Sequence, residues 1–230
     1  MHGGARLRAK PKSVTNHEGG NMTNTHKKLA MVAGAVALGA GSVLWAADEA
    51  PKPELISGAS ARMLAETCAG CHGTDGASVG PASPTIAGMN GEYFMELMQG
   101  FRDDSVYSTV MGRIAKGYTD EEIALMASFF AGKQFAPAKQ EFDAKLAEKG
   151  AKLHDKYCEK CHSEGGKIIE DEEYYILAGQ WTPYLQNAVS DFREDRREMP
   201  KKMRSKMEDL LEREQEAGLE ALFAFYASEQ

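Results

Sequence analysis

Cys68-Ala69-Gly70-Cys71-His72 returns 90 positions later as Cys158-Glu159-Lys160-Cys161-His162, and these two pentapeptides use all 4 cysteines of the chain. Two thiols three positions apart, followed directly by an imidazole, suit one chemistry above others. Each sulfur can form a thioether to a haem vinyl group, and the histidine then sits under the iron as its proximal ligand. The motifs therefore imply two covalent haem c groups, one on Cys68 and Cys71 with His72, the other on Cys158 and Cys161 with His162. Zinc and structural disulfides are the other uses of paired cysteines. Ribbon-type zinc sites place their pairs about 15–20 residues apart, whereas Cys71 and Cys158 are 87 positions apart. Disulfides suit an exported chain. A thioredoxin-like motif would need a βαβ context, which the sequence does not show.

Working outward, the same shift organises the rest of the chain. Moving by 91 lays Ile86-Ala87-Gly88 on Leu177-Ala178-Gly179, Tyr93 on Tyr184, and Phe101-Arg102-Asp103-Asp104 on Phe192-Arg193-Glu194-Asp195. Near the ends, Phe129-Phe130-Ala131 matches Phe225-Tyr226-Ala227 at a shift of 96, so the second copy carries a short insertion. Self-similarity of this kind marks two copies of one unit, each the size of a small domain to which a haem adds apolar core. The boundary is expected near Gln134-Phe135-Ala136-Pro137.

The periodicity predicts helices and long loops. Thr119-x-x-Glu122 is a capping box opening a helix with Ile123, Met126, Ala127 and Phe130 on one face, ended by Gly132. Helices from about Ala59 and about Asp143 lead into the two cysteine motifs. A further helix is expected from Glu208 to Ser228, interrupted at Gly218. Between Gly73 and Pro84 the Gly, Pro and Ser content forbids regular structure. No segment alternates with period two, so the fold class expected is all-α.

The N-terminus reads as a leader. His26-Lys27-Lys28 is basic, Leu29 to Leu44 is an uncharged run, and Ala46-Ala47 precede Asp48-Glu49, the layout of a secretory signal. Its 16 apolar and small residues fall short of the ~20 that span a bilayer, so no retained membrane span is expected. Residues 1–47 are expected to be removed, with the signal over about 22–47, Met22 as a better start than Met1, and Ala50 as an alternative to cleavage near Ala47. Covalent haem, attached outside the bacterial cytoplasm, agrees with a periplasmic location. Beyond residue 47 the chain holds 21 basic and 33 acidic residues, a net charge of −12. Such a surface is a poor partner for nucleic acid. One basic stretch, with Arg193, Arg196-Arg197, Lys201-Lys202, Arg204 and Lys206, reads as a docking patch or as solvated surface.

The sixth iron ligand follows by elimination. After the leader only His72, His154 and His162 remain. His154 lies four residues before Cys158 on the incoming helix, beside the haem edge at best, and reads as a surface or hydrogen-bonding residue. Methionine is the alternative, and it raises the potential. Met89, Met95 and Met98 shift onto Gln180, Gln186 and Val189, whereas Met111 shifts by 92 onto Met203. Met126 belongs to the capped helix face. Met111 and Met203 are therefore the expected distal ligands, with Met199 and Met207 as alternatives to Met203.

Several stretches together resemble a known family: Cys68-Ala-Gly-Cys-His-Gly-Thr-Asp-Gly, Gly80-Pro-Ala-Ser-Pro-Thr-Ile-Ala-Gly, Met111-Gly-Arg-Ile-Ala-Lys-Gly-Tyr, residues 150–162, and Leu177-Ala-Gly-Gln-Trp-Thr-Pro-Tyr-Leu. They resemble the dihaem cytochrome c subunit of flavocytochrome c sulfide dehydrogenase, from about Ala61 to Gln230. The resemblance implies two tandem class I cytochrome c domains, residues 48–136 and 137–230, each wrapped around one covalent haem. It also implies a periplasmic complex in which a separate flavoprotein, carrying the FAD, oxidises sulfide. Electrons would pass to the two haems and on to a soluble acceptor such as a small cytochrome c. The chain itself shows no dinucleotide-binding motif and no His/Asp/Ser constellation for bond-making chemistry, so catalysis on sulfide is expected to belong to the partner. A free-standing dihaem carrier feeding a terminal oxidase shares the architecture. A dihaem peroxidase would need an open distal site, against which the two repeat-matched methionines argue.

Overall fold

The computed structural model describes residues 58–167 and 175–230, and among them the regular elements are all helical. The expected leader, 1–47, lies outside the described residues. In the first repeat, α1 (Ala61–Glu66) runs into the turn α2 (Ala69–His72), followed by α3 (Gly91–Arg102), α4 (Met111–Ala115) and α5 (Asp120–Ala131). In the second, α6 (Ala144–Tyr157), the irregular α7 (Ser163–Gly166), α8 (Thr182–Arg193) and α9 (Lys201–Ser228) follow, with α9 spanning the stretch that α4 and α5 cover in the first. Helix α1 packs on α5 and α3 on α4 and α5, while α6 and α8 both pack on α9.

Side chains at the helix starts account for the starts. Ser60, Asn90 and Asp143 accept hydrogen bonds from the N–H groups of Met63, Tyr93, and Lys145 and Leu146 respectively. The capping box forms as expected: Glu122 N–H donates to Thr119 Oγ1 at 3.2 Å, and Thr119 N–H donates to Glu122 Oε2 at 3.0 Å. Gly132 caps the other end. The predicted face of α5, with Ile123, Met126, Ala127 and Phe130, is buried in the first core. A second core forms around Leu153, Tyr157, Leu210, Leu222 and Tyr226.

The duplication extends to individual hydrogen bonds. Ile86 and Ala87 N–H donate to Gly76 O at 2.9 and 3.2 Å, as Leu177 and Ala178 N–H donate to Gly166 O at 2.9 and 3.0 Å. Gly88 N–H reaches Phe130 O and Gly179 N–H reaches Tyr226 O, both at 2.8 Å. Each loop thus returns to the same point on its terminal helix.

Two expectations are corrected. The last helix begins at Lys201, not Glu208, and so contains Met203. Its interruption lies at Gln215, with φ 56 and ψ −158, rather than at Gly218. Gly218 is a packing glycine, since a Cβ there would meet Glu214 Cβ at 2.6 Å. In the basic stretch the arginines are paired within the molecule, while Lys201, Lys202 and Lys206 are exposed. Arg193 pairs with Glu216 at 2.7 Å, Arg196 with Asp191 at 2.8 Å and with Glu194, and Arg204 with Asp195 at 2.8 Å. Arg197 leaves its own repeat, donating to Tyr107 O at 3.1 Å and lying over the Phe101 ring.

Arg197 is one of several ties between repeats. Gln180 and Thr85, both 0% exposed, exchange two hydrogen bonds: Thr85 N–H donates to Gln180 Oε1 at 3.1 Å, and Gln180 Nε2 donates to Thr85 O at 2.7 Å. Trp181 Nε1 donates to Ser78 O at 3.2 Å, and its indole lies where a Cβ on Gly80 would be, 2.4 Å from the ring. Tyr175 packs against both cores, with its ring 5.9 Å from Tyr93 and 5.7 Å from Tyr184.

The tightest helix crossing is that of α6 on α9. A Cβ on Gly150 would lie 2.0 Å from the Ala221 carbonyl oxygen, a backbone atom with nowhere to move. Gly150→Ala is therefore expected to lower stability by about 1–3 kcal/mol or more through overpacking. Gly91→Ala, whose Cβ would meet its nearest atom at 3.9 Å, is expected to be neutral. Thermal unfolding of the two variants against the parent checks the contrast.

Candidate functional site

The two cysteine-histidine motifs form the same hydrogen-bonded turn. Cys71 N–H and His72 N–H both donate to Cys68 O, at 3.2 and 2.9 Å, and Cys161 N–H and His162 N–H both donate to Cys158 O, at 3.1 and 3.0 Å. A turn of this kind presents its two sulfurs and the following imidazole from one end of the entering helix, α1 in the first repeat and α6 in the second.

The first imidazole is oriented by the chain beneath it. His72 Nδ1 lies 2.8 Å from Pro84 O, and because a carbonyl only accepts, Nδ1 carries the proton. Nε2 is left as the lone-pair nitrogen, the form that binds metal. Burial lowers the His72 pKa, against the opposing effect of the Pro84 carbonyl, and favours the neutral ring. By the shift of 91 Pro84 falls on Tyr175, and the residues just before it, 168–174, lie outside the described residues.

The thiols themselves argue against the other cysteine chemistries. All four cysteines are free, so the disulfide reading is not realised. Burial pushes the Cys158 thiol up to about 11 and raises that of Cys68 as well. Reactive and metal-binding thiolates have lowered values instead. The two cysteine pairs are not brought together, and among the described residues no three His, Cys, Asp or Glu side chains converge as a metal-ligand set. The zinc reading falls with that. The residues present do fit covalent haem: two thiols and an adjacent imidazole on each turn, the His72 tautomer fixed by the Pro84 carbonyl, and apolar cores alongside that include Cys68 and Cys158 at their margins.

Of the methionines, Met89, Met98 and Met126 are buried in the first core, and Met95 packs on it. Met111 is half-buried at the first position of α4. In the second repeat Met203 is half-buried near the start of α9, Met199 is buried just before that helix, and Met207 packs on the second core one turn later.

Of the two readings of His154, surface or hydrogen-bonding, the structure shows the second. The side chain is fully buried, with Nδ1 2.9 Å from Tyr226 Oη and Nε2 2.8 Å from His162 O and 2.9 Å from Glu159 Oε2. Against the desolvation that would raise it, the Gly165 N–H and His154 hold the Glu159 carboxyl below its usual range. Two residues, Gln180 and Arg197, were missed as ties between repeats because their partners lie 95 and 90 positions away.

No family model matches the chain. Over 85 residues, 37% of this chain and 74% of the relative, it is 47% identical to the cytochrome subunit of sulfide dehydrogenase of Chlorobaculum tepidum. It is 27% identical to cytochrome c4 of Pseudomonas aeruginosa over 145 residues, covering 60% of this chain and 72% of that one. In fold it matches reduced recombinant cytochrome c4 from Pseudomonas stutzeri with a TM-score of 0.63 at 22% identity, over 74% of this chain and 97% of that one. The architecture is therefore that of tandem class I cytochrome c domains, and the chain is an electron-transfer protein of the c-type cytochrome class. By its likeness in sequence the chain belongs to the family of the cytochrome subunit of sulfide dehydrogenase, here with the Cys-x-x-Cys-His turn present twice.

Proposed function

We propose that this chain is the dihaem electron relay of a flavocytochrome c sulfide dehydrogenase. The observation that carries the reading is the repeated turn, which offers two sulfurs and an imidazole at Cys68, Cys71 and His72 and again at Cys158, Cys161 and His162. Haem bound there supplies one-electron exchange. The chain's own part would be to hold each haem by thioethers, fix His72 through Pro84, and supply a methionine as a further ligand. Met111 and Met203 are the proposed distal ligands, with Met199 and Met207 as the alternatives to Met203. Burial of Met89, Met98 and Met126 in the first core supports Met111.

In this reading residues 1–47 are a removed leader, 48–136 and 137–230 are the two haem domains, and the protein works in the periplasm. A flavoprotein subunit with FAD oxidises sulfide, the relay takes its electrons, and a soluble acceptor receives them. The relative from Chlorobaculum tepidum supports the sulfide assignment by name. Among the described residues the exposed large apolar side chains are Met63, Val79, Tyr107, Val110 and Ile114 in the first repeat and Phe142 in the second, a difference that supports docking of the flavoprotein on the first. Likeness to cytochrome c4 favours a second reading, a free-standing dihaem carrier feeding a terminal oxidase.

Three measurements test these proposals. The mature protein is expected to have the mass of its polypeptide plus two haems, so a bare chain or a single addition refutes the attachment sites. Met111→Leu and Met203→Leu are each expected to remove about half of the thioether-to-ferric-iron absorption at the red end of the spectrum and to lower one haem's potential. Loss with a Met199 or Met207 variant in place of Met203 would move the second ligand to that residue. Finally, mixing the cytochrome with sulfide is expected to give fast haem reduction only when the flavoprotein is added. Equal rates without it, or a native complex free of flavin, would leave the free-standing carrier as the better account.

A further inference from the structure

The peptide between Pro84 and Thr85 is held from both sides. Its carbonyl accepts the His72 Nδ1–H at 2.8 Å, and its N–H donates to Gln180 Oε1 at 3.1 Å. Gln180 cannot swing away, because its Nε2 also donates to Thr85 O at 2.7 Å and both residues are fully buried. Imidazole, peptide and side-chain amide therefore lie in series, in the order His72, Pro84–Thr85, Gln180. Hydrogen bonds in series through one amide polarise one another. An acceptor on the N–H leaves the carbonyl oxygen more negative, and that oxygen draws more strongly on the His72 Nδ1–H. A stronger bond at Nδ1 makes Nε2 a more basic ligand, which favours the oxidised iron.

We infer that Gln180, carried by the second repeat, is a positioning residue that tunes the haem of the first repeat through the Pro84–Thr85 peptide. The inference rests on the haem reading proposed above. It ties the electron affinity of one site to the docking of the other repeat, and the tie runs one way at this position. The residue matching Gln180 in the first repeat is Met89, which is buried in its own core and has no amide to offer. Sequence comparison of the repeats shows only a mismatch there.

The test uses the full-length holoprotein. Gln180→Leu keeps most of the volume and removes both hydrogen bonds, and Gln180→Met is a second variant with an unbranched chain. The two midpoint potentials are measured by spectroelectrochemical titration and assigned to repeats by the shift that Met111→Leu causes. Both variants are expected to raise the first haem's potential and leave the second in place. The expected shift is about threefold in the electron-exchange equilibrium between the haems, or about 30 mV at 59 mV per tenfold for one electron. Gln180→Glu keeps an acceptor for the Thr85 N–H and is expected to hold the potential at or below the parent value. Trp181→Phe, which removes only the indole N–H bond to Ser78 O across the same interface, is expected to move neither haem. An unchanged first haem in both substitutions, equal shifts at both haems, or a Trp181→Phe variant that reproduces the shift would overturn the inference. A parent chain with no haem on Cys68 and Cys71 would instead overturn the haem reading, and its mass shows that before any potential is measured.

Discussion

The hydrogen bond from His72 Nδ1–H to the Pro84 carbonyl is the constraint to which the first half of the molecule is built. An imidazole that binds a metal, as proposed for His72, needs one tautomer and one orientation, and the entering helix controls neither, because it ends at the ring. The chain must double back and bring a carbonyl underneath, and residues 73–84 do so with little regular structure. Gly73 starts the reversal with φ +75, and a Cβ there would stand 1.9 Å from the Ala77 carbonyl oxygen. Gly76, with φ +83, then offers the carbonyl that ties down Ile86 and Ala87. Helix α5 closes the arrangement by accepting Gly88 N–H at Phe130. Helix packing, loop glycines and ligand tautomer thus form one chain of dependence.

What the sequence made legible was whatever has a local signature. The paired thiols, the capping box at Thr119 and Glu122, the buried face of α5 and the register of the duplication all follow from spacing within a few residues or from self-comparison. What it hid were contacts between residues about 90 positions apart and the use of residues against type. Gln180 enters the repeat comparison only as the residue matching Met89, and its use shows when Thr85 is found beside it. Arg196 and Arg197 read as part of a basic surface, yet they lie over Tyr107 and Phe101 of the other repeat. Gly218 reads as a helix breaker, while the break occurs at Gln215, where no propensity marks it. Stereochemistry permits a break at a glycine but does not require one. Here close packing uses the missing Cβ instead.

A duplicated chain begins with two equal sites, and a relay needs them unequal. The repeat register shows where they diverge. Leu64, Ala69 and Phe130 of the first repeat stand at the positions of His154, Glu159 and Tyr226 in the second. In the first, Leu64 and Phe130 belong to an apolar core. In the second, the same three positions form a hydrogen-bonded string from Glu159 through His154 to Tyr226, and His154 also reaches the carbonyl of His162. Buried polar groups with their partners satisfied keep fixed dipoles beside the turn, where an apolar core has none. Each single replacement would be costly, since a buried His or Tyr without its partner loses its hydrogen bonds to water and gains nothing. The three are consistent only as a set. The two turns therefore share their backbone hydrogen bonds and differ in the field around them, through side chains at three matched positions.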